Sequence, residues 1–291
     1  MNDMRSELVA VLIAVQDGAP MVLTLKNGHA LPSGPLETTH RSLQKGLRLW
    51  VERQTGYHLG HVEQLYTFAD APEGNEGRLI RISYMALTRI GDEREGWRGW
   101  YEYFPWEDQS GSVGQVLLDK IEARLAQWCE AGPVDRRQRC DLAFGFNRQS
   151  WDDELVLQRY ELLWEAGLVA EAPHRQGVVL PGMTMARDHR RILATAMARL
   201  RAKIRYRPVI FELMPETFTL LQLQRTVEAV AGRPMHKQNF RRLILQQELV
   251  EETPDVELQT QGRPARLFRF RREVIGARHL VGSKLPLAKP V

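Results

Sequence analysis

The chain has 291 residues, 43% of them hydrophobic and 26% charged, a formal net charge of +4, and two cysteines, Cys129 and Cys140. That length suits two globular domains with ordinary cores, while cysteines without CxxC or His-rich spacing indicate neither a disulfide framework nor a structural zinc site and fit a reducing cytoplasm. The apolar run over residues 8–15 is far short of the roughly 20 residues a membrane span needs, and Glu7 and Asp17 flank it where a leader would be basic.

In chain order, residues 8–15 and 21–25 are apolar, β-rich runs separated by Asp17, Gly18 and Pro20, as a strand–turn–strand unit requires. Leu31, Pro32, Ser33, Gly34 and Pro35 form a rigid loop. A helix is predicted over 39–55, with Leu43, Leu47, Trp50 and Val51 on one face and Gly56 as its terminator. Residues 62–69 and 79–88 are further strands, the second with Ile80, Ile82 and Tyr84 in alternation. The aromatic segment "GWRGWYEYFPW" packs against the sheet. From Gly114 the texture turns helical: Val116, Leu117, Ile121, Leu125 and Trp128 make one stripe, and Leu155, Leu157, Tyr160, Leu162, Leu163 and Leu168 another. Asp152, Asp153 and Glu154 read as N-terminal caps of that second helix. The loop "QGVVLPG" breaks the chain, and residues 186–206 follow as a basic amphipathic helix that Pro208 ends. His189 reads as a solvated residue beside Arg190 and Arg191. "GSVG" at 111–114 lacks the lysine of a phosphate loop. The boundaries expected are 1–182 for a first domain with a helical extension over 114–182, 183–275 for a second, and 276–291 for a tail.

Charge divides along the same line. Residues 1–189 carry 20 Lys+Arg and 27 Asp+Glu, a net of −7, whereas residues 190–291 carry 20 and 9, a net of +11. A basic C-terminal third points to a polyanion as its partner. Its pattern agrees: Thr219 and Gln222 form a capping box, Leu220, Leu223, Val227 and Val230 share one helix face, and Gly232, Arg233 and Pro234 break the helix. A second helix over 236–247 puts Phe240, Leu243, Ile244 and Gln247 on one side and Lys237, Gln238, Arg241 and Arg242 elsewhere. This is helix-turn-helix spacing. Leu249, Val250 and "RPARLFRFR" supply a two-stranded wing, with Arg263, Arg266, Arg269 and Arg271 interleaved among apolar residues. Such an arrangement sets its second helix on bases and its wing arginines on phosphates or in the minor groove.

The phrase "LPSGPLETTHRSLQKGLRLWVERQTGY", with the later "VEQLYTF", resembles the Nudix hydrolases over roughly residues 8–106. Anchored on Gly56, Leu49 stands at the motif's arginine, Trp50 at the first helical glutamate, Arg53 and Gln54 at the glutamate pair, and Arg41 at the glutamate before them. Every metal carboxylate is missing. Positions 50, 53 and 54 share one helix face, where carboxylates would bind Mg²⁺, a hard cation that wants oxygen ligands. The resemblance therefore implies a catalytically inactive pocket that needs no cofactor. Arg41 and Arg53 are candidate phosphate partners in place of the metal, and Lys26, Arg78 and Arg81 are further ones. A second reading keeps an active nucleoside-diphosphate hydrolase that recruits Glu37, Glu52 or Glu63, with an accessory winged-helix domain.

The C-terminal words "FELMPETFTLLQLQ", "GRP", "NFRR" and "GRPARLFRF" resemble the Nudix-related transcriptional regulators of NAD metabolism, the NrtR type, and especially their NadQ-like relatives. Asn239, Phe240, Arg241 and Arg242 stand at matching motif positions, whereas His236 and Gln238 replace residues more often Asp and Arg. The fold implied is α+β: a Nudix-like α/β/α sandwich with a mixed sheet, a helical extension, and a C-terminal winged helix-turn-helix. The function implied is repression of NAD-biosynthesis genes. A homodimer would bind a double-stranded DNA operator under control of ATP, NAD or ADP-ribose, with the helix over 186–206 as the relay.

Overall fold

The computed structural model describes residues 4–69, 78–91, 95–130, 132–175, 177–257 and 264–271; the tail expected at 276–291 lies outside these. The first strands are β1 (Arg5–Gln16), β2 (Ala19–Leu23) and β3 (Ser33–Pro35), followed by α1 (Leu43–Thr55), β4 (Val62–Phe68), β5 (Leu79–Leu87) and β6 (Trp97–Gly99). They form one mixed sheet in the order β4-β5-β1-β2-β6, with β3 paired to β1 off that path and β1 parallel to β5. The central β1 is covered on both faces, which is why its apolar run is continuous. Leu8, Ala10, Leu12 and Ala14 pack with Leu47 and Val51 of α1, while Val9, Val11 and Ile13 join the larger core on the other side. Helix α1 starts later than its sequence pattern predicts, because the Ser42 side chain accepts from the Lys45 amide at 3.2 Å and fixes the cap there. It stops at Gly56, in the left-handed region at φ 72°.

The helical extension comprises α2 (Ser112–Glu130), α3 (Asp135–Phe144) and α4 (Val156–Glu165). Helix α3, "DRRQRCDLAF", carries too weak an apolar stripe to be found by periodicity. Asp153 is not a helix cap; it is 1% exposed and pairs with Arg233 and Arg205 from the C-terminal part. Next come α5 (His189–Tyr206), β7 (Thr217–Phe218), α6 (Leu220–Ala231), α7 (Lys237–Gln246), β8 (Val250–Glu257) and β9 (Ala265–Phe270), whose small sheet runs β7-β9-β8. That is a winged helix. Among the described residues, no helix is long and apolar enough to cross a membrane.

Helix α5, read from its sequence as basic and amphipathic, buries its apolar face and also two of its arginines, Arg190 and Arg201. Ile192, Leu193, Ala194, Ala196, Met197, Leu200 and Ile204 are all at most 1% exposed, in one continuous core that extends from the sheet through α4 into α6 and α7. Its cations pair with acids from the first 171 residues: Arg190 with Glu171 at 2.9 Å, Arg191 with Glu161 at 2.7 Å, Arg201 with Glu107 at 2.6 Å, Arg205 with Glu154 at 2.7 Å, and Lys203 with Glu63. Much of the charge asymmetry along the chain is therefore complementarity inside it.

Glu107 is the focus of this pairing. Fully buried, it accepts from Arg159 of α4 at 2.6 and 2.9 Å and from Arg201 of α5 at 2.6 Å. Burial alone would raise its pKa, but the two guanidiniums outweigh it and hold the carboxyl below the usual range. The remaining donors of the arginines are met by carbonyls: Arg159 donates to Ala143 at 2.8 Å and Asp152 at 2.9 Å, and Arg201 to Val230 of α6 at 2.9 Å. At the other end of α5, His189 is not solvated. It is 4% exposed, and its Nδ1 accepts from the Leu31 amide at 3.0 Å. Burial, with Arg81, Arg187 and Lys26 nearby, lowers its pKa from 6.5 to about 4 against the opposing pull of Glu7.

Two outcomes follow. Glu107→Gln leaves two buried guanidiniums around a neutral amide and is expected to cost about 3–5 kcal/mol in urea unfolding; a loss under about 1 kcal/mol would show that the arginines find other acceptors. His189 is neutral in the folded state but takes up a proton below pH 6.5 when unfolded. Stability should therefore fall from pH 6.5 toward about 4 and lose this dependence below it. Thermal midpoints of His189→Asn, measured over the same range, should decline less than those of the parent chain; equal slopes would show that the histidine does not titrate this way.

Candidate functional site

Two regions concentrate the functional signals: the exposed side of the winged helix, and the loop that faces α1. In the first, the reciprocal capping box is present. The Thr219 hydroxyl accepts from the Gln222 amide at 3.1 Å, and the Gln222 side chain accepts from the Thr219 amide at 2.7 Å. Helix α6 ends at Gly232, whose φ of 75° suits glycine, and an added Cβ would lie 2.4 Å from the Glu107 carbonyl oxygen. The turn to α7 is thus tight and pressed against the N-terminal fold. Phe240 and Ile244 anchor α7 in the core, at 1% and 0% exposure. That leaves Lys237, Gln238, Asn239, Arg241 and Arg242 exposed, with Arg242 donating to Asn239 at 2.8 Å. Helix α7 contains no acidic residue, so its outer face is a positive surface with amide groups among the cations, the composition suited to phosphates and base edges.

The structure corrects one residue expected on that face. Arg233 is half-buried and lies 2.8 Å from Asp153, turned toward the helical extension. Arg263 lies outside the described residues. Arg266, on the wing strand β9, is exposed and pairs with Glu252 at 2.7 Å, while Arg269 pairs with Glu251. Exposed pairs of this kind are worth at most about 1 kcal/mol, little resistance to exchange for a polyanion.

At the loop facing α1, two of the residues standing at metal-ligand positions, Trp50 and Gln54, serve the fold. The Gln54 side chain donates to the Ser33 carbonyl at 2.7 Å and accepts from the Ser33 amide at 3.1 Å. Trp50 donates from Nε1 to the Pro35 carbonyl at 3.0 Å, and its ring lies so close over Gly34 that a Cβ there would be 2.2 Å away. The helix face that would bear carboxylates is therefore bonded to its own loop. These residues do not fit a hard divalent cation. Glu37, Glu52 and Glu63 do not converge either: they engage Thr39, His58 and Lys203 respectively. Among the described residues, no group of three His, Cys, Asp or Glu side chains could hold a metal ion.

Of the expected phosphate partners, Arg53 is exposed and stacks 5.9 Å from the Trp50 ring, Arg41 is exposed just before the Ser42 cap, Lys26 is exposed in a turn at φ 52°, and Arg78 is exposed beside β5. Arg81 is a correction. It is 9% exposed and holds Glu7 at 3.1 Å and also Asp188, so its guanidinium is committed to the fold. The sequence reading missed the fastening of this loop to α5. The Ala186 amide donates to the His29 carbonyl at 2.8 Å, just before the Leu31 to His189 bond. One signal was available, since His189 stands three, four, seven and eight residues before Ile192, Leu193, Ala196 and Met197, on the apolar face.

Loop and winged helix therefore meet through α5. On the winged-helix side, the Tyr101 hydroxyl donates to the Ala229 carbonyl at 2.6 Å and the Gln109 amide to the Gly232 carbonyl at 2.6 Å, so the turn between α6 and α7 is gripped by the segment that carries Glu107.

Comparison with known proteins agrees with this order of parts. Residues 210–270 match the model of the NrtR DNA-binding winged helix domain. The ADPR responsive transcriptional repressor NtrR of Acinetobacter baylyi is 40% identical over 88 residues, which are 30% of this chain and 35% of that protein, so the match spans about a third of the relative's length. Among solved structures, Shewanella oneidensis NrtR complexed with a 27mer DNA superposes with a TM-score of 0.54 at 20% identity, over 98% of this chain and 99% of that one. A MutT/nudix family protein from Enterococcus faecalis superposes with a TM-score of 0.52 at 14% identity, over 93% and 88%. At such identities these two establish a shared fold. Residues 210–270 thus match an NrtR-type DNA-binding winged helix domain, and the chain shares its fold with these two solved proteins.

Proposed function

We propose that this chain is a DNA-binding transcriptional repressor of NAD-biosynthesis genes. In this reading the Nudix-like part over residues 1–182, with its extension at 114–182, senses a nucleotide without hydrolysing it, and residues 183–275 read DNA. The observation that carries the proposal is the acid-free outer face of α7, where Lys237, Gln238, Asn239, Arg241 and Arg242 stand exposed on a winged helix. Arg266 supports it from the wing. Of the effectors ATP, NAD and ADP-ribose, ADP-ribose is favoured, because the relative from Acinetobacter baylyi is named for its response to it. Arg53 and Arg41, exposed on and beside α1, are the phosphate partners proposed, with Lys26 and Arg78 as outlying cations.

The route of control is physical. A ligand shifts a conformational equilibrium only by binding two states unequally. A ligand at the loop over residues 31–35 would press on β3, on the Gln54 bonds and on the Leu31 to His189 bond. Helix α5 runs about 18 Å from His189 to Arg201, at 1.5 Å per residue, and Arg201 holds the end of α6 through Val230. Two copies on a two-fold operator would place the two α7 helices in successive major grooves, so we propose a homodimer on DNA.

Fluorescence anisotropy on duplexes from upstream of NAD-synthesis genes tests the reading. Binding should be near ~10⁻⁸ M or tighter and steeply salt-dependent. The double variant Arg241→Ala, Arg242→Ala should weaken it at least about thirtyfold, from ~1–3 kcal/mol per arginine. Undiminished affinity would remove α7 from the DNA. In a separate assay, the chain with Mg²⁺ and ADP-ribose should release no nucleoside monophosphate, and multiple turnovers would instead make it a hydrolase.

A further inference from the structure

The chain's two cysteines are neighbours in space. Cys129 lies in the last turn of α2 and Cys140 midway along α3, and their Sγ atoms are 3.7 Å apart. Both are free thiols; Cys140 is 2% exposed and Cys129 is partly exposed. A sulfur–sulfur bond is about 2.05 Å long, so less than 2 Å of closure separates this contact from a covalent link. The two helices are already held together around it, because the Arg136 guanidinium stacks 4.1 Å from the Trp128 ring and donates to the Trp128 carbonyl at 3.2 Å, while Arg139 anchors α3 to Glu165 of α4 at 2.6 and 2.9 Å.

We propose that Cys129 and Cys140 form a reversible thiol–disulfide site, oxidised by hydrogen peroxide, that ties α2 to α3. The chemistry proceeds in two steps. The Cys129 thiolate attacks the peroxide, the O–O bond breaks, and Cys129 becomes a sulfenic acid while the departing hydroxide takes up a proton as water. The Cys140 sulfur then attacks the Cys129 sulfur, the S–O bond breaks, and the leaving hydroxide takes the Cys140 proton as a second water. Two thiols are oxidised and one peroxide is reduced. The order follows from exposure: Cys129 meets the oxidant and Cys140 resolves it. Burial, with the neighbouring thiol of Cys129, pushes the Cys140 thiol up to about 12, so it is a poor nucleophile toward anything free in solution. Contact with its single partner compensates, because a held neighbour reacts at a very high effective concentration. The bond also acts on the rest of the fold. Ala143, one turn beyond Cys140 on α3, supplies the carbonyl that accepts from Arg159 at 2.8 Å, and Arg159 is one of the two arginines on Glu107.

The test treats the folded full-length chain with hydrogen peroxide, counts thiols after denaturation, and maps peptides without reduction. Two thiols should fall to none, with a single bridge between the peptides of Cys129 and Cys140, and dithiothreitol should restore both. In Cys140→Ser, Cys129 should stop at the sulfenic acid and be trapped by dimedone, an adduct the parent chain does not accumulate. Two persistent thiols, a bridge between separate chains, or equal dimedone trapping in parent and variant would overturn the proposal.

Discussion

The arrangement of this molecule rests on one carboxylate held away from water between two guanidiniums. Taking a charge out of water is expensive, and a buried ion pair is rarely worth more than a well-packed apolar replacement. Glu107 with Arg159 and Arg201 is therefore better understood as fixing geometry than as supplying stability. The carboxylate belongs to the turn after β6, one arginine to the helical extension, and the other to α5, with Val230 of α6 as a further acceptor. Sliding any of these four segments past another would strand a buried charge. The position of the winged helix against the sheet is consequently set to within a hydrogen bond, with Gly232 packed where a side chain would strike the Glu107 carbonyl.

The charge pattern takes a different meaning in three dimensions. Opposite net charges on the two parts suggest a polyanion for the basic C-terminal third, yet Arg190, Arg191, Arg201, Lys203 and Arg205 of α5 and Arg233 beyond α6 all pair with acids from the N-terminal portion. The unpaired positive surface that matters is smaller and better defined: one face of α7, backed by wing arginines in weak surface pairs. Local density of cation without acid is the informative quantity, and net charge over a hundred residues is a blunt version of it.

What could be read along the chain was whatever local physics dictates. Both strands of the first hairpin, the α1 terminator Gly56, the capping box at Thr219 and the turn at Gly232 were legible, since each depends on a few neighbouring residues. What stands at the motif's metal positions was legible as residue types but not as contacts: that Gln54 and Trp50 fasten α1 to Ser33 and Pro35 depends on a loop 21 and 15 residues away in sequence. Helix α3 escaped because its stripe is short and interrupted by arginines. Arg81, Arg233 and His189 were misplaced for a common reason. Charged and titratable residues read as exposed by default, and their burial is decided by partners distant in sequence, such as Glu7, Asp153 and the Leu31 amide.

In the function proposed, a nucleotide-sensing pocket is joined to the winged helix by one buried helix, α5. If that joint transmits, binding at the two ends must be reciprocal, because an effector that changes DNA affinity by some factor has its own affinity changed by DNA by the same factor. Calorimetric titration of ADP-ribose into the free chain and into the chain saturated with operator duplex measures this directly. The account predicts dissociation constants that differ at least about fivefold; equal constants would mean that the pocket and the reader share a chain without sharing a mechanism.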